Sequence, residues 1–220
     1  GKSYVGGIVG DNNYSLVENC ISRVKVSGSG SYAYVGGVAG INNQGTLIAC
    51  YATATVSGSG DYAYVGGVAG YNYSTLIACY ATGEVSGSET GARVGGVAGG
   101  NNQGTLIACY ATGEVSGSGN NANVGGVAGG NHYGTLTACY ATATVSGGGN
   151  SANVGSLVGF NSASSPLTAC FYQWNVNIVS GAATQVGIGY CMDASGKPLI
   201  ASDGHSGIAG DNSIINSGLG

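Results

Sequence analysis

The sequence is poor in charge. Only 6% of its 220 residues are charged, and five lysines and arginines stand against nine acids, for a net charge of −4. So few basic residues cannot form the positive stripe that phosphate backbones require. We therefore expect no nucleic-acid partner.

Proline and long apolar runs are also scarce. No run approaches the roughly eighteen consecutive apolar residues of a membrane-spanning helix, so we expect no membrane span. Two prolines beside 45 glycines, without a Gly-X-Y period, exclude collagen. Apolar residues still make up 43% of the chain, which is not the polar composition typical of disordered segments. The chain is therefore expected to fold.

Signatures of catalysis and metal binding are missing as well. No C-x-x-C or H-E-x-x-H spacing occurs, and His132 and His205 are isolated from each other in the sequence. The carboxylates are scattered, apart from Glu84 and Glu114, which occupy equivalent positions of neighbouring repeats. Like charges in one exposed row are more typical of a solvated surface than of an acid–base pair. We predict a non-enzymatic protein with no catalytic, cofactor-binding or metal-binding residue.

What the sequence has in abundance is a repeat of about thirty residues. The phrase Val-Gly-Gly-Val-Ala-Gly, or a close variant, recurs at this spacing, beginning at Val5, Val35, Val65, Val94, Val124 and Val154. A fixed period of this size is typical of solenoids, in which each repeat packs only on its neighbours. Helices are disfavoured because glycine is frequent and no 3.6-residue period appears. The prediction is an all-β fold, a parallel β-solenoid (β-helix) of about six thirty-residue coils plus an irregular C-terminal coil.

Alternation within each repeat predicts which side chains face the core. In the second copy, polar Thr53 and Thr55 alternate with small or apolar residues such as Ala52 and Val56. Period-two alternation indicates one half-buried strand from the cysteine to the valine. The leucine three residues before each cysteine has the opposite parity, so we expect a bend at the small residue in between, such as Ala49. The glycine-rich phrase is predicted to form a second, shorter strand.

Two columns of identical side chains are expected to stack from coil to coil. One is a column of cysteines, at Cys20, Cys50, Cys79, Cys109, Cys139 and Cys170. In-register stacking gives poor geometry for a disulfide, so buried free thiols are favoured over bridges between neighbours. The other is a column of asparagines, at Asn12, Asn42, Asn72, Asn101, Asn131 and Asn161. Their amides can hydrogen-bond to their own copies, so a structural ladder is favoured over a ligand site.

The order of these residues resembles the GLUG repeat of bacterial cell-surface proteins. Glycines, Asn, Cys-Tyr and Val-Ser-Gly keep that family's order in VGGVAGINNQGTLIACYATATVSG, and the resemblance covers about residues 4–180 in six copies. It implies a surface or secreted protein of adhesin type. The same repeats occur in some bacterial immunoglobulin A1 peptidases, but the zinc motif of those enzymes is absent here, so no peptidase role carries over.

The regular pattern decays near residue 180. We predict one solenoid domain over residues 1–180, followed by a degenerate terminal coil and a half coil over 181–220. The last part contains an echo of the motif, Gly-Ile-Ala-Gly-Asp-Asn at 207–212. The sequence begins inside a full-strength motif and stops in mid-coil, so both ends are expected to leave strand edges open.

Open ends predict self-association. Complementary edges favour head-to-tail stacking of identical subunits into a fibre, with a candidate assembly end formed by Ile208, Ala209, Asn212, Ile214 and Ile215. The competing interpretation is a segment excised from a longer repeat array. Either way, the expected function is that of an extracellular or cell-surface structural or adhesive module, as a stalk or a fibre subunit.

Tyrosines in the first three repeats offer an alternative function. The candidate patch consists of Tyr4, Tyr32, Tyr34, Tyr62 and Tyr64, all just before the glycine-rich phrase. Exposed aromatic rings can stack on sugars or anchor a protein interface, although a tyrosine ladder can also merely cover a sheet edge. The alternative prediction is a module that binds a host or cell-surface glycan or protein through this patch.

Overall fold

The chain folds as a β-solenoid. A computed structural model describes residues 2–172, together with the backbone of Val179–Ser180, Ile188–Met192 and Pro198–Leu199. Within these residues there are strands and no helix, and strands of successive coils pair in parallel and in register. Each coil contributes to five sheets, which we number 1 to 5 in the order in which the chain visits them. The predicted parallel β-solenoid is confirmed.

The glycine-rich phrase supplies sheets 1 and 2. Sheet 1 consists of Tyr4–Gly6, Tyr34–Gly36, Tyr64–Gly66, Arg93–Gly95, Asn123–Gly125 and Asn153–Gly155. Sheet 2 consists of Val9–Asn13, Ala39–Asn43, Ala69–Asn72, Ala98–Asn102, Ala128–His132, Val158–Asn161 and Ile188–Met192, with Pro198–Leu199 antiparallel at its edge.

The second half of each repeat supplies the other three sheets. Sheet 3 consists of Leu16–Glu18, Thr46–Ile48, Thr75–Ile77, Thr105–Ile107, Thr135–Thr137 and Leu167–Thr168. Sheet 4 consists of Ile21–Ser22, Tyr51–Ala52, Tyr80–Ala81, Tyr110–Ala111, Tyr140–Ala141 and Phe171–Tyr172. Sheet 5 consists of Val26–Gly28, Val56–Gly58, Val85–Gly87, Val115–Gly117, Val145–Gly147 and Val179–Ser180.

Each coil bends more often than the two strands predicted from the sequence would allow. The predicted strand from cysteine to valine is broken at residues 53–55, between sheets 4 and 5, and the glycine-rich phrase bends between sheets 1 and 2. The chain bends at these places because its backbone lies very close to other parts of the solenoid, which only small residues permit. A methyl group at Gly83 would clash with the carbonyl oxygen of Ala54 in the preceding coil, and one at Gly37 would lie 2.5 Å from the Cβ of Ala52.

The expected bend before each cysteine is confirmed. Left-handed backbone conformation occurs there in all six copies, with φ between 50° and 53°, at Asn19, Ala49, Ala78, Ala108, Ala138 and Ala169. This conformation costs an alanine roughly 1 kcal/mol, but it changes the parity of the chain. Leu47 and Cys50 consequently both point inward and are fully buried.

The core has two compartments along the solenoid axis. One lies between sheets 2, 3 and 4 and contains the leucine and cysteine columns. The other lies between sheets 5 and 1 and contains mainly valines and alanines. A methyl group on Gly37 would meet the side chains of both Ala52 and Val56, which belong to different compartments, so this glycine stands at the boundary. The glycine in this column therefore lets opposite walls of the coil meet.

The predicted face assignment can be tested with two valine substitutions. Gly67→Val would drive a side chain into the carbonyl oxygen of Gly96 and the methyl group of Ala81, whereas Thr82 is exposed. We expect Gly67→Val to lower the free energy of unfolding by about 4 kcal/mol or more. Thr82→Val should change it by less than about 0.5 kcal/mol. Equal thermal midpoints for the two variants would contradict the assignment.

Candidate functional site

The buried asparagine column forms the predicted ladder. Each side-chain amide nitrogen donates to the amide oxygen of the next copy at 2.8 Å, through five successive contacts that join Asn12, Asn42, Asn72, Asn101, Asn131 and Asn161. In the last four copies the same nitrogen also donates to a carbonyl oxygen of the turn that follows sheet 2, as Asn101 does to Gly104 at 3.0 Å. These amides are committed to the fold.

The cysteine column is also structural. The six ladder cysteines are free, and all except Cys20 are buried. Their thiols donate to backbone carbonyls, as Cys109 does to Ile107 at 3.3 Å and to Leu76 at 3.5 Å. Hydrogen bonds with neighbouring thiols, together with burial, raise the pKa of Cys109. The predicted buried thiol column is confirmed.

Two of the five candidate tyrosines form an exposed pair. Tyr32 and Tyr62 are 48% and 46% exposed, and their rings stack with centroids 5.2 Å apart. The Tyr62 ring also lies against Gly91, where a methyl group would clash with it. Because the binding of a sugar requires a free ring face, Tyr62 offers little for stacking.

The other three candidate tyrosines belong to a second cluster. Tyr4 is 42% exposed, but Tyr34 is only 6% exposed. Tyr34 is covered because Tyr71 of sheet 2 stacks on it, with centroids 5.0 Å apart, and Tyr64 meets it edge-on. The expectation that Tyr34 contributes to an exposed patch is therefore wrong.

A third tyrosine column escaped the sequence analysis. Four rings directly after the cysteines stack with centroids 4.5–4.7 Å apart and planes within 8° of parallel, at Tyr51, Tyr80, Tyr110 and Tyr140. The repeated Cys-Tyr pair was the available signal. These rings present their edges to solvent, since their faces cover one another.

A polar cluster interrupts the aromatic surface of sheets 1 and 2. Arg93 follows Tyr64 in the outward row of sheet 1, its guanidinium carbon lies 4.9 Å from the centroid of the Tyr64 ring, and it donates to the Tyr64 hydroxyl. A methyl group on Gly130 would lie 3.3 Å from both Cδ of Arg93 and Nε2 of His132. Arg93 and His132 therefore converge above this glycine.

His132 is held in an unusual environment. Its ring stacks on Phe160 with centroids 4.7 Å apart. Burial, and to a lesser extent the positive charge of Arg93, lowers the pKa of His132 from 6.5 to about 4. Nε2 of His132 and Nε of Arg93 are both buried without a hydrogen-bond partner. The ring is therefore neutral at pH 7.

The remaining candidates lie outside this surface. The predicted assembly end, Ile208, Ala209, Asn212, Ile214 and Ile215, falls outside the described residues. Within the described part of the chain, no three His, Cys, Asp or Glu residues are grouped so that they could hold a metal ion. Those residues likewise include no helix that is long and apolar enough to cross a membrane.

Comparisons with known proteins agree with the repeat pattern. The family described as the GLUG motif matches residues 61–86 and 120–146. The fold is similar to the crystal structure of "a putative immunoglobulin A1 protease" from Bacteroides ovatus, with a TM-score of 0.58 and 20% identity over 88% of this chain and 64% of that one. The chain thus spans less than two thirds of that protein, and the likeness shows the fold alone. No curated protein matches the chain.

The environment of His132 predicts a loss of stability in mild acid. Above pH 6.5 its ring is neutral in both the folded and the unfolded chain. As the pH falls from 6.5 towards 4, only the unfolded chain takes up the proton, so stability decreases through this window. We expect this residue to account for about 1–2 kcal/mol, allowing for the part of the ring that solvent reaches.

Urea unfolding at pH 7 and pH 4.5 measures the effect. The comparison variant is His132→Asn, which cannot titrate, so its stability should fall less between the two pH values. An equal fall in both proteins would show that His132 is not the group responsible.

Proposed function

The chain is a repeat protein that carries the GLUG motif, and we propose that it serves as a non-enzymatic structural module, a rigid rod within an extracellular or cell-surface protein. The observation that carries this proposal is the continuous stacking of equivalent residues from coil to coil. Six coils at about 4.8 Å each make a rod about 30 Å long. In such a rod the distance between the two ends is fixed, which suits a stalk or a fibre subunit.

Self-association at the first coil is part of the proposal. Val9, Val17 and Cys20 point inward there and are partly exposed, although their equivalents in the second coil are completely buried. Asn12 donates to Asn42, but no ladder amide donates to the Asn12 oxygen. All five sheets also end at this coil. Another coil with the same pattern would bury these valines and donate to this oxygen.

We propose that this covering coil belongs to a second copy stacked head to tail, and the alternative is an adjoining segment of a longer chain. A contact between unlike ends does not close, so copies would add into a filament. Charged residues on a strand edge oppose such pairing. The exposed edge residues Leu16 and Ile21 are suitable positions for introducing them.

Light scattering after size-exclusion chromatography tests the stacking. The mass of the unaltered chain should rise with concentration, and negative-stain images should show rods in multiples of about 30 Å. The double variant Leu16→Lys, Ile21→Lys should remain a monomer, whereas Tyr133→Lys, exposed on the flank of the fifth coil, should assemble normally. A monodisperse monomer of the unaltered chain at high concentration would refute stacking and favour the adjoining segment.

A further inference from the structure

The cluster around Arg93 contains hydrogen-bond donors and no negative charge. Its neighbours in the outward row of sheet 1 are Tyr64 and Asn123, and Gly130 and His132 lie across from it. None of these residues is acidic. The oxygen of the Asn123 side chain accepts from Asn153 at 2.7 Å, which leaves its amide nitrogen as a donor.

We propose that Arg93, Asn123 and His132 form a subsite for the carboxylate of an acidic sugar residue. The Arg93 side chain and the imidazole of His132 meet beside the glycine at 130, and Asn123 is the neighbour of Arg93 in the outward row of sheet 1. Planar guanidinium groups bind carboxylates through two parallel hydrogen bonds. Nε of Arg93 and Nε2 of His132 have no partner within the described residues, and a bound oxygen would supply one.

The charge of the site selects a monoanion. Arg93 carries one positive charge, and the ring of His132 is neutral at pH 7. Phosphate monoesters carry nearly two negative charges at this pH, and their binding sites usually combine several basic groups. A single arginine therefore matches a carboxylate better than a phosphate.

The surroundings favour a sugar over a free carboxylate. Rings lead away from Arg93: Tyr64 contacts Tyr71 with centroids 4.6 Å apart, and Tyr71, which is itself only 6% exposed, contacts Tyr73 at the same distance. Tyr73 is 40% exposed, and the amide of Asn102 donates to the Tyr71 hydroxyl at 3.1 Å. Aromatic rings beside polar groups are the usual surroundings of a bound sugar ring.

This site does not depend on the proposed role as a rod. Arg93 stands in the fourth coil, away from the open edge of the first. It also differs from the tyrosine patch expected from the sequence, because only Tyr64 is shared. In the outward row of sheet 1 the first three copies carry tyrosine and the last two carry asparagine, so the arginine occurs once.

Nuclear magnetic resonance can test the subsite directly. The chain has two histidines, so the ring resonances of His132 can be followed with those of His205 as a reference within the sample. Sodium glucuronate should shift the His132 signals along a saturating curve, and glucose at the same concentrations should not. Acetate should bind at the same place about tenfold more weakly.

Substitutions separate the subsite from general effects of added salt. Arg93→Gln should weaken glucuronate binding by about tenfold or more, and Arg23→Gln, which alters an exposed arginine of the first coil, should leave it unchanged. Asn123→Asp places a carboxylate beside Arg93 and should abolish binding while the fold is retained. This variant tests the proposal even if Arg93→Gln does not fold.

Three results would overturn the proposal. One is a His132 shift of equal size with glucose and glucuronate. Another is full binding by the folded Asn123→Asp variant. Binding of acetate as tight as that of glucuronate would refute the sugar and leave only a general carboxylate site.

Discussion

The asparagine ladder is the constraint on which the rest of the structure depends. Every amide in it donates in the same direction along the axis at 2.8 Å, so the dipoles reinforce one another. A shift of one coil by a single residue would bury these amides without partners, at a cost of about 1–3 kcal/mol each. The ladder therefore fixes register, and register brings the cysteine, leucine and valine columns into contact. It also explains glycines such as Gly104 and Gly134, which lie directly against the asparagine amides.

Repetition made much of this fold predictable. Because equivalent positions stack, column identity alone predicted the asparagine ladder, the buried thiols and the bend at Ala49. The five-sided coil was harder to predict, because residues 53–55 keep the alternation of a strand while the backbone bends. The burial of Tyr34 depends on Tyr71, a substitution found in one copy only. A pattern averaged over copies does not show such a contact.

Positions that keep one residue in nearly every coil and positions that vary between coils have different roles. Positions that hold the same residue in nearly every coil build the core and the turns. The outward rows of sheets 1 and 2 are among the positions that vary, and there tyrosine, arginine, asparagine and histidine replace one another. Arg93 and His132 come together because sheet 1 of one coil lies beside sheet 2 of the next, so Arg93 lies over Gly130 rather than Gly100. That offset between the two sheets could not be predicted from the sequence and is seen only in the structure. A rigid repeating frame can thus carry a local binding site through a few substitutions.

The free energy of unfolding of two asparagine variants tests the central claim most directly. Asn101→Ala removes the hydrogen bonds to Asn72, Asn131 and Gly104 and leaves buried partners unpaired. We expect a loss of about 3 kcal/mol or more. Asn43 directly follows the ladder residue Asn42 and is only half-buried. Asn43→Ala should therefore cost less than about 1 kcal/mol. Equal, small losses in the two variants would show that the ladder does not hold the coils in register.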